Sequence, residues 1–214
     1  MTEDVAARVA ARYDTIFLQK YTRSKVRHDP VYPAVRDVLR DVQTPLVDVG
    51  CGAGVFAFFL RESGFTPPIT GIDFHAAKIA MAQRIAPAYE GLTFRTGDAR
   101  REELPAGHSV LILDVLQYVS ADDRAGILEK AARAVPPGGV AILRQGIRDA
   151  SWRSRVSYAG EVFSRINGWL KMERIDFPTR EQIVAPFAGF AHDIRPLWGR
   201  TPFNNYLFVF RRPA

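Results

Sequence analysis

The 214-residue sequence is poor in the side chains that carry most redox and acid–base chemistry. It has a single cysteine, Cys51, so no disulfide can close within the chain. One thiol suits a reducing compartment, and a cytoplasmic location is expected. No base stands near Cys51 in the sequence, which points to packing and not to a nucleophile. Histidine is limited to His28, His75, His108 and His192, so candidates for a general base are few and no metal site is expected. No apolar run approaches the roughly 18 residues that span a bilayer. Met1-Thr-Glu-Asp4 leads into no apolar core of the kind a secretory signal carries. Repeats, low-complexity tracts and long linkers are missing too. Acids are fewer than bases, 23 against 29, which leaves a net charge of +6. That excess, mostly arginine, suits nucleic acid, an anionic membrane or an acidic partner protein. Its spread along the chain excludes a dedicated nucleic-acid tail.

What remains is the balance of a globular domain, 47% hydrophobic and 24% charged. The hydrophobic pattern divides the chain into a helical cap over 1–43, an α/β core over 44–148, a helical insert over 149–185 and final strands over 186–214. Apolar spacing at Val5, Val9, Tyr13, Ile16 and Phe17 predicts one helix over 3–20, with Thr2 as its cap. A polar, basic stretch over 21–30 follows, then a helix over 33–42 with Pro33 in its first turn. From Pro45 the period changes. Short apolar runs at 45–50, 68–73, 92–95, 110–114 and 140–143 read as buried strands. Helices are expected between them at 55–61, 76–86 and 121–135, the last opened by Ser120 and Asp123 at capping-box spacing. Alternation of this kind predicts βαβ units and a mainly parallel sheet. Residues 150–175 read as helical, and strands near 190–198 and 205–211 form a hairpin-like return.

The chemistry concentrates after the first strand, in Asp48-Val-Gly-Cys-Gly-Ala-Gly54. The first βα turn of an open α/β sheet is a nucleotide site. Glycines at 50, 52 and 54 allow a sharp turn and close ligand approach. The dinucleotide fingerprint G-x-G-x-x-G would need its third glycine at position 55, where this chain has valine. Asp48, two residues ahead of the first glycine, would repel a pyrophosphate but suits a ligand carrying an ammonium and a sulfonium. Three more acids close successive strands. Asp73 is placed for ribose hydroxyls, Asp98 for an adenine amine, and Asp114 lies at the fourth strand end.

Residues 46–146 resemble the core of the class I methyltransferases that use S-adenosylmethionine (SAM) and release S-adenosylhomocysteine (SAH). The resemblance rests on the loop 47–54, Asp73, Gly97-Asp98, Asp114 to Tyr118, and Pro137-Gly-Gly139. It implies a Rossmann-like three-layer sandwich whose mainly parallel, seven-stranded sheet ends in an antiparallel strand. It further implies that Asp48, Gly50, Cys51, Gly52 and Gly54 hold the methionine part of SAM. Asp73 and Phe74 would meet the ribose, Asp98 and Ala99 the adenine, and the backbone after Asp114 the methyl-transfer site. Tyr13, Tyr21, Arg23 and Arg27 of the cap are candidates for the SAM carboxylate. Where many small-molecule members carry a histidine, this chain has Gln117 and Tyr118. His28, in a segment that often folds over the cofactor, and Tyr118 are the candidate catalytic residues; Arg144, Gln145 and Tyr118 face the expected substrate side.

In the insert, Trp152, Val156, Phe163, Ile166 and Leu170 keep helical spacing, with Arg153, Arg155, Arg165 and Lys171 between them. The pattern predicts an apolar face against the sheet or a lid with a basic rim, able to meet a membrane surface or an acidic carrier protein. The expected acceptor is small and hydrophobic or aromatic, free or carrier-bound. A nucleic-acid methyltransferase and an NAD(P)-binding oxidoreductase are the competing readings. The first lacks an RNA-binding module or an Asn-Pro-Pro-Tyr-type motif near Asp114, and the second lacks its glycine spacing.

Overall fold

The computed structural model describes residues 2–166 and 175–214. Five strands alternate with helices and two close the sheet: β1 (Leu46–Val49), β2 (Ile69–Asp73), β3 (Leu92–Thr96), β4 (Ser109–Leu113), β5 (Val140–Gly146), β6 (Ala191–Pro196) and β7 (Asn205–Arg211). Their order is β3-β2-β1-β4-β5-β7-β6. β1 to β5 pair in parallel, and β7 runs antiparallel to both β5 and β6. This is the Rossmann-like sheet expected.

The side-chain period of two splits the core across the sheet. Leu46 of β1 joins Leu111 and Ile142 on one face, under α1 (Thr2–Ala10), α3 (Val31–Leu39), α4 (Val55–Glu62) and α5 (Ala76–Ile85). Val47 and Val49 join Ile112, Leu143 and Phe208 on the other, under α6 (Ala121–Ala134) and α8 (Arg180–Val184). The same alternation sends Asp48 to the face of Leu46, where the N-terminal helices lie. The strand order reverses between β1 and β4, and the loops leaving their carboxyl ends diverge there to open a cleft.

The expected helix over 3–20 is two helices. α1 ends at Ala10, and α2 (Ile16–His28) occupies the stretch expected to be irregular. Thr15 makes the break, its side-chain oxygen accepting from Leu18 N at 3.2 Å. Val5, Val9 and Tyr13 are buried as the spacing predicts, but Ile16 and Phe17 face outward. Thr2 is the first residue of α1 and not its cap. α3 begins two residues earlier than expected, right after Pro30, with Pro33 in its first turn. Ser120 caps α6, accepting from Asp123 N at 3.1 Å.

α7 (Trp152–Ile166) forms, with Trp152 of the expected apolar face turned outward and Val156 partly buried. Trp152 and Tyr158 are exposed, while Ser154 and Ser157 are buried. The two serines meet polar backbone at the strand ends: Asn204 N donates to Ser157 Oγ at 2.7 Å and Asp149 N to Ser154 Oγ at 3.3 Å. Leu170 and Lys171 lie outside the described residues, as do the side chains of Phe163, Arg165 and Ile166. Among the described residues no helix is long and apolar enough to cross a membrane.

Candidate active site

Gly50, Gly52 and Gly54 all take positive φ, at 77°, 56° and 79°. The space around two of them is equally restrictive. A Cβ on Gly50 would collide with Val115, and one on Gly54 would stand 2.9 Å from the rings of Phe58 and Phe94. The loop is tied to β2 by Gly50 N and Cys51 N, which donate to Ile72 O at 2.7 and 3.2 Å. Asp73 completes the tie. Its Oδ2 accepts from Gly52 N and its Oδ1 from His75 N, both at 2.8 Å. Asp73 is thus a buried, fixed carboxylate with lone pairs left for a ligand's hydroxyls.

Asp48 differs. It is 3% exposed, and its Oδ2 has no hydrogen-bond partner among the described residues. Burial pushes its pKa up to about 7, and the charge of Asp73 adds to the shift. An unpartnered buried carboxylate is costly unless a cation or donor meets it. The α-ammonium of SAM is such a group, so the loop fits this cofactor's amino-acid end. Cys51 is half-buried, and burial pushes its thiol pKa up, away from thiolate reactivity.

Two adjoining cavities open along the carboxyl edge. A nucleoside-side cavity of about 270 Å³ is lined by Gly50, Asp73, Phe74, Gly97, Asp98, Ala99, Val115 and Tyr118, among others. A second, of about 500 Å³, lies between the glycine loop and the N-terminal helices, lined by residues including Tyr13, Leu18, Tyr21, Lys25, Tyr32, Asp48, Phe56 and Arg144. Gly50, Lys78, Leu113 and Asp114 line both. A ligand with a nucleoside and an amino-acid end would pass from one to the other at that junction.

The junction is braced by three charges far apart in sequence. Asp114 is the one non-glycine with positive φ among the described residues, at 57°. Arg144 Nε stands 2.9 Å from Asp114 Oδ1, and its Nη1 donates to both carboxylate oxygens of Asp29 at 2.6 Å. Asp29 in turn accepts from Val31 N at 3.1 Å at the start of α3. Arg144 therefore holds the N-terminal cap against β4 and β5. Desolvation raises the Asp114 pKa, opposed by the Arg144 charge.

Most of the expected cofactor residues converge on these cavities: Asp48, Gly50, Cys51, Gly52, Asp73, Phe74, Asp98, Ala99, Asp114, Tyr13 and Tyr21. Gly54 shapes the loop from behind. Tyr13 donates to Ala53 O at 2.9 Å, so it supports the loop. Asp98 is shared with Arg100, whose Nη2 lies at 2.7 Å, and this pairing first of all lowers its pKa. Tyr118 lines the nucleoside cavity and not the acceptor side.

Besides Tyr118, three placements depart from expectation: those of His28, Arg27 and Gln145. His28 ends α2 with its Nδ1 2.9 Å from Ser24 O and lines neither cavity. Arg27 is exposed on the same helix and lines neither. Gln145 is fully buried. It donates to Gln117 Oε1 at 2.7 Å and accepts from Leu116 N at 3.2 Å, which makes it a brace under the β4 loop. Arg144 lines the larger cavity but is already claimed by two aspartates. None of the four histidines lines either cavity.

Sequence reasoning passed over Asp29, Lys25 and Lys130. Asp29 before Pro30 carried a helix-start signal, but nothing in the chain announces its pairing 115 residues away. Lys130 looks like an ordinary helix surface residue. It is buried, donating to the carbonyls of Ala99, Arg100 and Glu102 at 2.5, 3.0 and 3.0 Å, and fixes the loop that carries Asp98.

A methyltransferase-domain family profile matches residues 46–139. The chain is 23% identical over 199 residues to the carboxy-S-adenosyl-L-methionine synthase of Actinobacillus succinogenes, covering 83% of each. It is 30% identical over 160 residues to that of Chromohalobacter salexigens, covering 69% of this chain but only 58% of the relative. In structure it resembles the magnesium protoporphyrin IX methyltransferase of Synechocystis PCC 6803, solved with bound SAH. The TM-score there is 0.66, at 20% identity, over 98% of this chain and 93% of the other.

Proposed function

We propose that the chain is a class I SAM-dependent methyltransferase and that it methylates a small, apolar or aromatic acceptor, free or bound to a carrier. The observation that carries this reading is the larger cavity. Beyond the glycine loop its wall is Leu18, Tyr21, Val31, Tyr32 and Phe56, with Lys25 and Arg144 as its charged margin.

SAM supplies the activated methyl group, a carbon on a positively charged sulfur. Asp73 orients the ribose through oxygens already fixed by Gly52 N and His75 N. Asp48 meets the ammonium, and the β4 loop after Asp114 borders the reacting centre. α2 and α3 close over that junction and keep water out, while Arg144 holds them in place. Alignment and water exclusion are the chain's contribution to the rate. An acceptor that sheds a proton finds the Asp114 carboxylate at the junction, where none of the four histidines reaches either cavity.

A panel of phenols and apolar carboxylic acids, incubated with enzyme and SAM, tests the reading. A product heavier by one methylene, formed with SAH, supports it. SAH binding without methylation of any apolar acceptor, alongside turnover of RNA, would replace it. A second reading comes from the relatives' name: the cofactor's own methyl group is the site of modification. Lys25 at the cavity margin favours a carboxyl-bearing co-substrate for that reaction. Mass spectrometry of the spent cofactor separates the two, SAH for the first and a carboxylated SAM for the second.

A further inference from the structure

α2 packs Leu18 and Val26 inward but leaves three bulky apolar or aromatic residues outside. Ile16, Phe17 and Tyr21 are 70%, 76% and 51% exposed, whereas Thr22 and Val26 on the opposite side are buried. Ile16, Phe17 and Tyr21 fall on one side of the helix by its period of 3.6. The same thirteen residues hold Lys20, Arg23, Lys25 and Arg27 and no acid. Lys20, Arg23 and Arg27 are exposed. Tyr21 belongs to both surfaces, since it also lines the larger cavity. A solvent-facing surface on which bulky apolar and basic side chains alternate therefore adjoins the acceptor-side cavity, and the acid just ahead of α2, Asp14, is paired with Arg84.

We propose that α2 seats this cavity on an anionic lipid surface. Ile16 and Phe17 enter the boundary between headgroups and acyl chains, and Lys20, Arg23 and Arg27 meet acidic headgroups. Exposed helix surfaces that combine bulky apolar side chains with lysine and arginine bind anionic membranes in this way. A second copy of the chain fits poorly, because packing α2 on α2 about a two-fold axis would oppose like charges. An acidic protein would match the cations but gives no reason for Ile16 and Phe17 to stand in water. The contact is peripheral, consistent with the lack of a membrane-spanning helix among the described residues. It rests on reading the larger cavity as the acceptor site, and it implies an apolar acceptor taken from the bilayer.

Co-sedimentation of the full chain with vesicles tests the proposal. Vesicles of equal parts phosphatidylcholine and phosphatidylglycerol should bring the enzyme down; phosphatidylcholine alone should not. The double variant I16S/F17S should weaken binding about tenfold or more, and Lys20→Glu by a similar factor. SAH binding, followed by calorimetry, should be unchanged in both and thereby reports that each is folded. Failure of the wild type to bind the mixed vesicles overturns the proposal. So does binding that Lys20→Glu weakens and I16S/F17S leaves intact, which would mark a charge-directed partner such as an acidic protein. Loss of SAH binding in the wild type would instead remove the methyltransferase reading and leave the vesicle result standing.

Discussion

The two halves of the site are built differently. The half around the glycine loop is held through the loop's own backbone: its amides donate to Ile72 O and, 21 residues away, to the Asp73 carboxylate, which also accepts from His75 N. The acceptor half is held by side chains remote in sequence, above all Arg144 between Asp29 and Asp114. A backbone-built pocket tolerates change in what surrounds it but not in its own loop. A half built on a charge cluster loses its shape when one partner goes.

The largest expected effect breaks the nucleoside half. Asp73→Ala leaves two backbone donors without their acceptor and removes the contact proposed for the ribose. SAH affinity should fall on the order of a hundredfold from a micromolar-range starting point, as read by calorimetry. An effect below about threefold would mean that the ribose binds elsewhere.

Next comes the acceptor half. Arg144→Met strips the partner from two aspartates at once. A stability loss of roughly 3–5 kcal/mol is expected in urea unfolding, as when one partner of a buried pair is removed. In whatever variant population remains folded, methyl transfer should suffer more than SAH binding. Equal losses would show that the latch serves both halves alike. The double variant with Asp29→Asn should be less destabilised than the sum of the single changes, since the two share one interaction.

Asp48 gives a pH signature of intermediate size. Its pKa is about 7 when folded, against an ordinary value of 3.8, because burial disfavours the charge. Between those values the unfolded chain has lost the proton and the folded chain keeps it. The folded state therefore binds more protons, and the Asp48 contribution to stability falls as pH rises through that window, by up to a few kcal/mol. Asp48→Asn should flatten the decline in thermal unfolding scans. SAH binding should show the opposite trend, strengthening as pH rises toward 7 and Asp48 ionises opposite the ammonium. A wild-type profile identical to that of Asp48→Asn would remove Asp48 from the cofactor site.

The smallest effect concerns His28. Its ring leans on Ser24 O outside both cavities, so His28→Ala should change kcat by less than about twofold. A drop of a hundredfold or more would put the histidine in the reaction and require α2 to turn in the working enzyme.

The nucleoside half was largely legible in the sequence. Asp48, the three glycines, Asp73 and Asp98 are local motifs at strand ends, and strand ends follow from the hydrophobic period. Reading failed at one local cap and where long-range contacts override local pattern. Thr15 breaks the first helix, and Ile16 and Phe17, which share its apolar spacing, turn to solvent. α7 buries serines because Asn204 and Asp149 offer them backbone donors, while Arg153 stacks against Trp152 and Trp198 at 4.8 and 4.3 Å. Neither partner set can be read from the helix itself.

By itself, then, the sequence determined the alternation of strands and helices and the ligand class of the glycine loop. Both depend on residues within one or two turns of each other. The tertiary structure decided which acid stays unpartnered, which arginine is already neutralised and which helix face meets water. Those outcomes depend on burial and on partners up to 115 residues apart. A carboxylate such as Asp48 is shifted, and ready for a cation, only once the surrounding sheet and helices have taken its water away.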